Sequence, residues 1–410
     1  MRAILPKGWE RTELGEIVTL QSGGTPNRAT NIFWNGEVPW ISAKDLKYFD
    51  LNDSIEHLTA IGAEHLNVVP AGTILILVRG MGLFKDFPVG ITTRPMAFNQ
   101  DVKALHPNAK VNTRFLAHTL LAMRSAIMGR VDRAGHGTGR LVTDYLIALP
   151  VMLPPLPEQQ RIVAVLDAWD QAIDQAERLI AANRFAYRSK LNTFAELEGT
   201  STRRLDQIAH INVRSLPAST DPEFEFDYFD IAAAEDGSER ELSGRISFKN
   251  APSRARRLVA GEAVVYSTVR PLLRRLFTAK GRPDIVYSTG YSILEPTESC
   301  MVGYLKHLLV SDRVERQVYA RLTGSGYPAI NENDLAEIRI PLLDIDKQVA
   351  ICATLDVHEK QQSLYLRYSK ALRTQKRGLM QKLLTGEWRL DERFEPEAMT
   401  PPTSKAGGRS

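Results

Sequence analysis

Two stretches of this chain carry apolar residues at alternating steps of four and three. The first reads Ile162, Leu166, Trp169, Ile173, Ala176, Ile180, Asn183 and Tyr187, which is a heptad seam. No Gly or Pro falls between Glu158 and Leu197, so the spacing predicts one helix over 158–197, roughly 55–60 Å long. Pro154 and Pro155 disfavour helix upstream, while Pro157 suits a first turn. Glu158 sets negative charge at the positive end of the helix dipole. A second helix is predicted from about Asp346 to Leu384, ended by Gly386. Leu355, Tyr365, Leu372, Leu379 and Leu383 keep its stripe apolar. Gln362 and Ser369 weaken that stripe where the first helix has Ile173 and Ile180, and Gly378 costs about 1 kcal/mol against Ala. Each helix is too long to lie on one small globule. Two of them bury their stripes by pairing as a coiled coil.

Ahead of each helix the pattern is mixed and rich in turns. Val68-Val69-Pro70-Ala71-Gly72 leads into Thr73–Val78, a β-branched run that reads as a buried strand. Leu258-Val259-Ala260-Gly261 leads into Ala263–Tyr266 in the same way. These segments share one register. An offset of 189 places Gln159 on Gln348, Ile162 on Ile351 and Leu166-Asp167 on Leu355-Asp356. It also places Gly135-x-Gly137 on Gly324-x-Gly326, Leu146 on Leu335, and Ala71-Gly72 on Ala260-Gly261. The chain therefore reads as a duplicated unit of about 190 residues, far longer than a solenoid repeat. The expected fold is α+β, with two pseudo-repeated globular domains, each followed by a long helix. The expected layout is a first globule at 1–152, a helix at 153–198, a second globule at 199–341, a helix at 342–388 and a disordered tail at 389–410.

Composition narrows the function classes. The chain has 410 residues, 52 Lys+Arg against 48 Asp+Glu, and a net charge of +4. It is no uniform polycation, so nucleic-acid binding has to come from local patches. Cys300 and Cys352 are too few for a disulfide framework or a structural zinc site and read as small buried residues. No long apolar segment suggests a secretory signal or a membrane span, and a cytoplasmic location is expected. No Gly-Lys dipeptide exists for a phosphate-binding loop, nor any H-E-x-x-H, C-x-x-C or G-x-S-x-G motif. His136 has Ser325 as its counterpart, so the repeats share no imidazole for acid–base chemistry. No catalytic residue and no metal site is predicted.

Positive charge does cluster. Arg254, Arg256, Arg257, Arg270, Arg274, Arg275, Lys280 and Arg282 are opposed only by Glu262. Arg124, Arg130, Arg133 and Arg140 surround the Gly135-His136-Gly137 loop. Arginine suits phosphates and guanine edges bidentately, and short Gly/Ser/Thr loops let backbone N–H groups approach phosphates. The candidate DNA contacts are Gly23, Gly24, Thr25, Trp40, Ser42, Arg130, Arg133, His136 and Arg140 in the first globule. In the second they are Arg254, Arg256, Arg270, Arg274, Arg275, Ser325 and Tyr327. For Trp40 a core role and DNA contact both stay open, as contact and a solvated face do for the single arginines.

Several motifs together resemble the DNA specificity (S) subunits of Type I restriction–modification systems, over nearly the whole chain. Leu14-Gly15-Glu16-Ile17, Gly23-Gly24-Thr25-Pro26, Phe33-Trp34, Gly36 and Pro39-Trp40-Ile41 look like the opening of a target-recognition domain. Leu153-Pro-Pro-Leu-Pro-Glu-Gln-Gln160 before a long helix looks like that family's central conserved region. Ala251–Arg256 and Ser267-Thr-Val-Arg-Pro271 are similar to a recurrent second recognition domain, whereas Leu343–Gln348 departs from the Pro-Pro-Leu-Pro-Glu-Gln wording. The resemblance implies a non-catalytic subunit that reads a split double-stranded DNA target through two domains. Its helices would pair as an antiparallel spacer that sets the distance between half-sites and docks two modification subunits. S-adenosylmethionine, ATP and Mg would belong to the partner modification and restriction subunits, with no cofactor in this chain and no membrane partner. The rival readings are a coiled-coil protein-binding scaffold and a stand-alone DNA-modifying enzyme.

Overall fold

The structure, a computed structural model, describes residues 5–133, 137–196, 201–231, 244–324, 326–391 and 393. The chain divides into two compact units, residues 1–175 with 369–410, and residues 176–368. Both cuts fall inside long helices, so each unit contains part of each.

In the first unit the predicted strand forms as Ile74–Leu77, with all four residues buried. It is the middle of a five-stranded sheet ordered Val18–Ser22, Val102–Pro107, Ile74–Leu77, Val89–Thr92 and Asp50–Leu51. Only the last pairing is parallel. The helix Thr113–Ala122 buries Phe115, Leu116 and Leu120 in the same apolar cluster as Ile74, Ile76 and Leu105. Glu10–Glu13 pairs antiparallel with Pro150–Leu153, which delivers the chain to the first long helix, Leu156–Ala195. That helix starts earlier than the spacing predicts, because the Pro155 carbonyl accepts from the N–H groups of Glu158 and Gln159.

In the second unit Glu262–Ser267 is the expected buried strand, flanked by Tyr291–Pro296 and Leu276–Lys280. The helix Val302–Leu309 buries Tyr304, Leu305 and Leu308 in one cluster with Val264 and Leu294. Thr202–Arg204 pairs antiparallel with Arg339–Pro341, directly before the second long helix, Ile345–Leu384. Cys300 and Cys352 are free and buried. Burial pushes their thiols up, to about 12 and about 11, so neither is a ready thiolate.

A buried glutamine fixes the start of each long helix. The amide oxygen of Gln159 accepts from Asn112 N–H at 2.7 Å. Its NH2 donates to the carbonyls of Lys110 and Pro154 at 3.0 and 2.8 Å. Gln348 accepts from Met301 N–H at 2.8 Å and donates to the carbonyls of Ser299 and Leu343, each at 2.8 Å. Both side chains are fully buried. Each amide ties three backbone groups, which water cannot satisfy at that depth, to the helix start. Beside Gln159, the buried Glu158 carboxylate takes the Trp9 indole N–H at 3.2 Å and Arg389 at 2.7 and 3.0 Å. The segment after the second helix is thereby held as far as Arg389, beyond the point where the sequence suggested a disordered tail at 389–410; 394–410 lie outside the described residues.

About two helical turns further on, a buried histidine meets each long helix. His118 stacks on Phe49 at 4.5 Å and lies 3.5 Å from Asp167, which Arg114 also binds at 3.0 Å. His307 bonds Asp356 at 2.9 Å and the Tyr187 hydroxyl at 2.9 Å. Burial holds both imidazoles below the ordinary histidine range.

The long helices pair antiparallel within each unit. In the first, Ile162 and Leu166 share a cluster with Met380 and Leu383, and Lys376 pairs with Asp170. Leu379 is half-buried against that cluster. In the second, Leu191 shares a cluster with Ile351 and Leu355, and Asn183 bonds His358 through both its carbonyl and its ring at 2.8 Å. Ile173 and Leu372 are buried. Trp169 and Ile180 are only half-buried, short of the core role that the heptad pattern predicts for Trp169. A two-helix stripe is too narrow to cover a whole indole.

Two outcomes follow. Gln159→Ala leaves one backbone N–H and two carbonyls without their partner and should cost about 2–4 kcal/mol in denaturant unfolding, with amide exchange accelerated around Lys110–Asn112. An unchanged midpoint would show that the amide is dispensable. The second concerns pH. The unfolded chain protonates His118 near 6.5, whereas burial resists that proton in the fold. The stabilisation is complete above 6.5 and falls as pH drops below it. Asp167 and Asp170 pull the other way and Lys376 adds to the effect, so the slope is set by burial. His118→Gln should flatten the fall of the unfolding midpoint between pH 7 and 5.5 without abolishing it, because His307 contributes with the same sign. An unaltered slope would contradict this assignment.

Candidate nucleic-acid interface

In the first unit the Gly-Gly-Thr segment is bonded to the strand region around Phe98, with Thr25 exposed. A Cβ on Gly23 would lie 2.2 Å from the Phe98 carbonyl oxygen, so the close approach requires glycine. Gly24 N–H donates to that carbonyl at 2.9 Å, and the Trp40 indole N–H donates to Gly24 O at 2.9 Å. Thr25 bonds Gln100 at 2.6 Å. Trp40 is buried edge-to-face against Trp34 at 5.3 Å, the placement that its core reading expects. Ser42 donates its backbone N–H and hydroxyl to Asp45 at 2.8 and 2.7 Å. These five predicted contacts hold the domain's own loops together.

The arginines lie elsewhere, on a ribbon that continues the buried strand Ile74–Leu77. Gly139–Arg140 runs antiparallel between Arg79–Gly80 and Asp132–Arg133. Arg140 stands opposite both Arg79 and Asp132. Arg79 and Arg140 are exposed. The like charge of Arg79 and the opposite charge of Asp132 thus flank Arg140 on its two sides. Arg130 is exposed with its guanidinium over the Tyr145 ring at 5.5 Å, whereas Arg124 pairs with Asp86 at 3.1 Å. Arg79 escaped the sequence reading. It sits alone in sequence, and only the strand register brings it to Arg140. His136 and the side chain of Arg133 lie outside the described residues, as does Ser325.

In the second unit the same kind of crossing joins Thr268–Arg270 to 323–330. Val269 and Thr323 both bridge to Ala329, and Arg270 N–H donates to Pro328 O at 2.7 Å. The run of positive charge is far less bare than its sequence suggests. Arg254 meets Asp230 at 2.6 Å, Arg257 meets Glu332 at 3.3 Å, Lys280 meets Glu262 at 3.0 Å and Arg282 meets Asp284 at 2.7 Å. Arg274 turns inward onto Asp312, at 3.4 Å, and Glu315. Its guanidinium is engaged in these ion pairs, with 31% of the side chain still exposed. Most of these partners lie 24–75 residues away in sequence, so the charge count could not see them. Arg256, Arg270 and Arg275 have no carboxylate partner among the described residues. Arg256 lies over Phe248 at 4.6 Å and Arg270 over Tyr327 at 4.4 Å.

Residues 6–182 match the Type I restriction modification DNA specificity domain. Over 160 residues the chain is 32% identical to the EcoR124I/EcoR124II specificity subunit of Escherichia coli, covering 38% of this chain and 40% of that protein. Over 182 residues it is 25% identical to the MjaIX specificity subunit of Methanocaldococcus jannaschii, covering 42% and 40%. The chain thus spans about two fifths of the length of these curated relatives. The crystal structure of a Type I restriction–modification S subunit from M. genitalium aligns over 94% of this chain and 98% of its own, with 15% identity and a TM-score of 0.55. A chain from a structure of type I R-M complex assembly and conformational transition aligns over 94% and 100%, with 19% identity and a TM-score of 0.58. These two likenesses concern the fold. Residues 6–182 are thus similar to a specificity domain, and the curated relatives that match this chain are specificity subunits. Among the described residues no helix is long and apolar enough to cross a membrane.

The contrast between arginines is testable by mutation. Arg274→Ala leaves Asp312 and Glu315 without that cation and should cost about 1–2 kcal/mol in thermal unfolding, whereas Arg275→Ala should stay within about 0.5 kcal/mol. Equal midpoints for the two variants would contradict the structural role of Arg274.

Proposed function

We propose that this chain is the DNA-reading subunit of a Type I restriction–modification complex, with each unit reading one half of a bipartite target through its arginine-bearing ribbon. The observation that carries the two-fold layout is a constant offset of 189 residues. It relates the partners of Gln159 (Lys110, Asn112 and Pro154) to those of Gln348 (Ser299, Met301 and Leu343). It also relates His118–Asp167 to His307–Asp356. The specificity-domain match ends at residue 182, so this correspondence is what extends the reading to the second unit. The ribbons differ in side chains where the glutamine anchors agree, as two readers of different half-sites would.

On this reading the chain binds no cofactor. Two modification subunits dock on it and methylate adenine with S-adenosylmethionine, and restriction subunits use ATP and Mg. The long helices set the gap between half-sites. Mapping modified adenines in the source genome, with and without this chain, should reveal one split motif that vanishes with the chain. Lengthening both long helices by seven residues adds about 10 Å and should widen the gap by about three base pairs. Methylation that persists without the chain, an unbroken motif, or a purified chain that modifies DNA unaided would overturn the proposal.

A further inference from the structure

Arg270 and Arg274 flank the short 3-10 turn Pro271–Leu273, and both adopt left-handed backbone conformations, with φ of 50° and 55°. Such conformations are costly for residues with a side chain and persist where the surroundings impose them. Here they do. Arg274 is anchored by Asp312 and Glu315. Arg270 N–H is bonded to Pro328 O, and Arg270 O accepts from Leu273 N–H at 3.0 Å. The two arginines then diverge. Arg274 points into the unit, while Arg270 is exposed, lacks a carboxylate partner among the described residues, and lies on the ring of Tyr327. Tyr327 is itself 71% exposed, although a phenol ring is ordinarily largely covered.

Stacking fixes the plane of a guanidinium and leaves its N–H edge open to a planar, bidentate acceptor. We propose that Arg270, held on Tyr327, is a specificity-determining residue that reads the O6/N7 edge of one guanine in the half-site of the second unit. This rests on the DNA-reading function proposed above. Guanine is favoured over phosphate because its O6 and N7 lie in one plane and accept only a guanidinium held in that plane, whereas the tetrahedral oxygens of a phosphate take the same bidentate fork in several planes. The loop geometry makes the guanidinium direction definite at the expense of local stability.

The test selects a random-sequence duplex pool with the full chain, together with any modification subunits that co-purify with it. The wild type should enrich two half-site motifs. Arg270→Gly suits the left-handed backbone while deleting the guanidinium. It should leave the unfolding midpoint unchanged or raised, yet lose preference at one guanine in one half-site, weakening binding to the wild-type motif roughly ten- to a hundredfold. Arg270→Lys should lose the same preference, and Tyr327→Phe should keep it. Unchanged base preference in Arg270→Gly overturns the proposal. A loss of affinity that is uniform across sequences also overturns it, by indicating a phosphate contact. A wild type that enriches no motif sinks the DNA-reading function itself, and this inference with it.

Discussion

A fully buried amide at the start of each long helix is the constraint on which this structure depends. Gln159 and Gln348 each join the first helical turn to two other chain segments through three hydrogen bonds. Without those bonds, backbone N–H and C=O groups would be buried and unpaired, which is costlier than the bonds are favourable. The direction of a helix of 40 residues is sensitive to small errors at its root. A rigid, completely satisfied anchor makes that direction definite in each unit, and the histidine–aspartate contacts hold the helix about two turns further on.

Recognition surfaces can vary on such a scaffold because they lie away from its anchors. In the first unit the Gly-Gly-Thr loop, Trp40 and Ser42 are occupied with internal bonds, whereas the ribbon of Arg79 and Arg140 faces outward. In the second, one arginine of a strained turn is an internal strut and the other stands exposed on a tyrosine. Charge alone therefore does not mark the reading surface. On the proposed reading, an exposed guanidinium with a fixed orientation marks that surface in the second unit.

Much of the fold was legible in the sequence because it is periodic. The heptad stripe gave both long helices to within a residue or two at most ends, and the β-branched runs gave Ile74–Leu77 and Glu262–Ser267. The offset of 189 already aligned Gln159 with Gln348, although their shared bonding became visible only in three dimensions. The candidate interface was less legible. Arg274 looked like its neighbours until Asp312 and Glu315 folded against it, and Arg79 carried no local signal at all. Ion pairing and strand register depend on tertiary contacts that a charge count cannot contain. Glycine-rich segments are ambiguous for the opposite reason: close packing and ligand approach call for the same residue.

The central claim is that the two ribbons, and not the Gly23–Ser42 region, meet DNA. Hydrogen exchange of the full chain, with and without a duplex carrying its methylation motif, tests this most directly. The account predicts new protection at 78–84 and 137–141 and, in the same titration, at 268–274 and 326–330. Protection confined to 23–42, or to one unit alone, would contradict it.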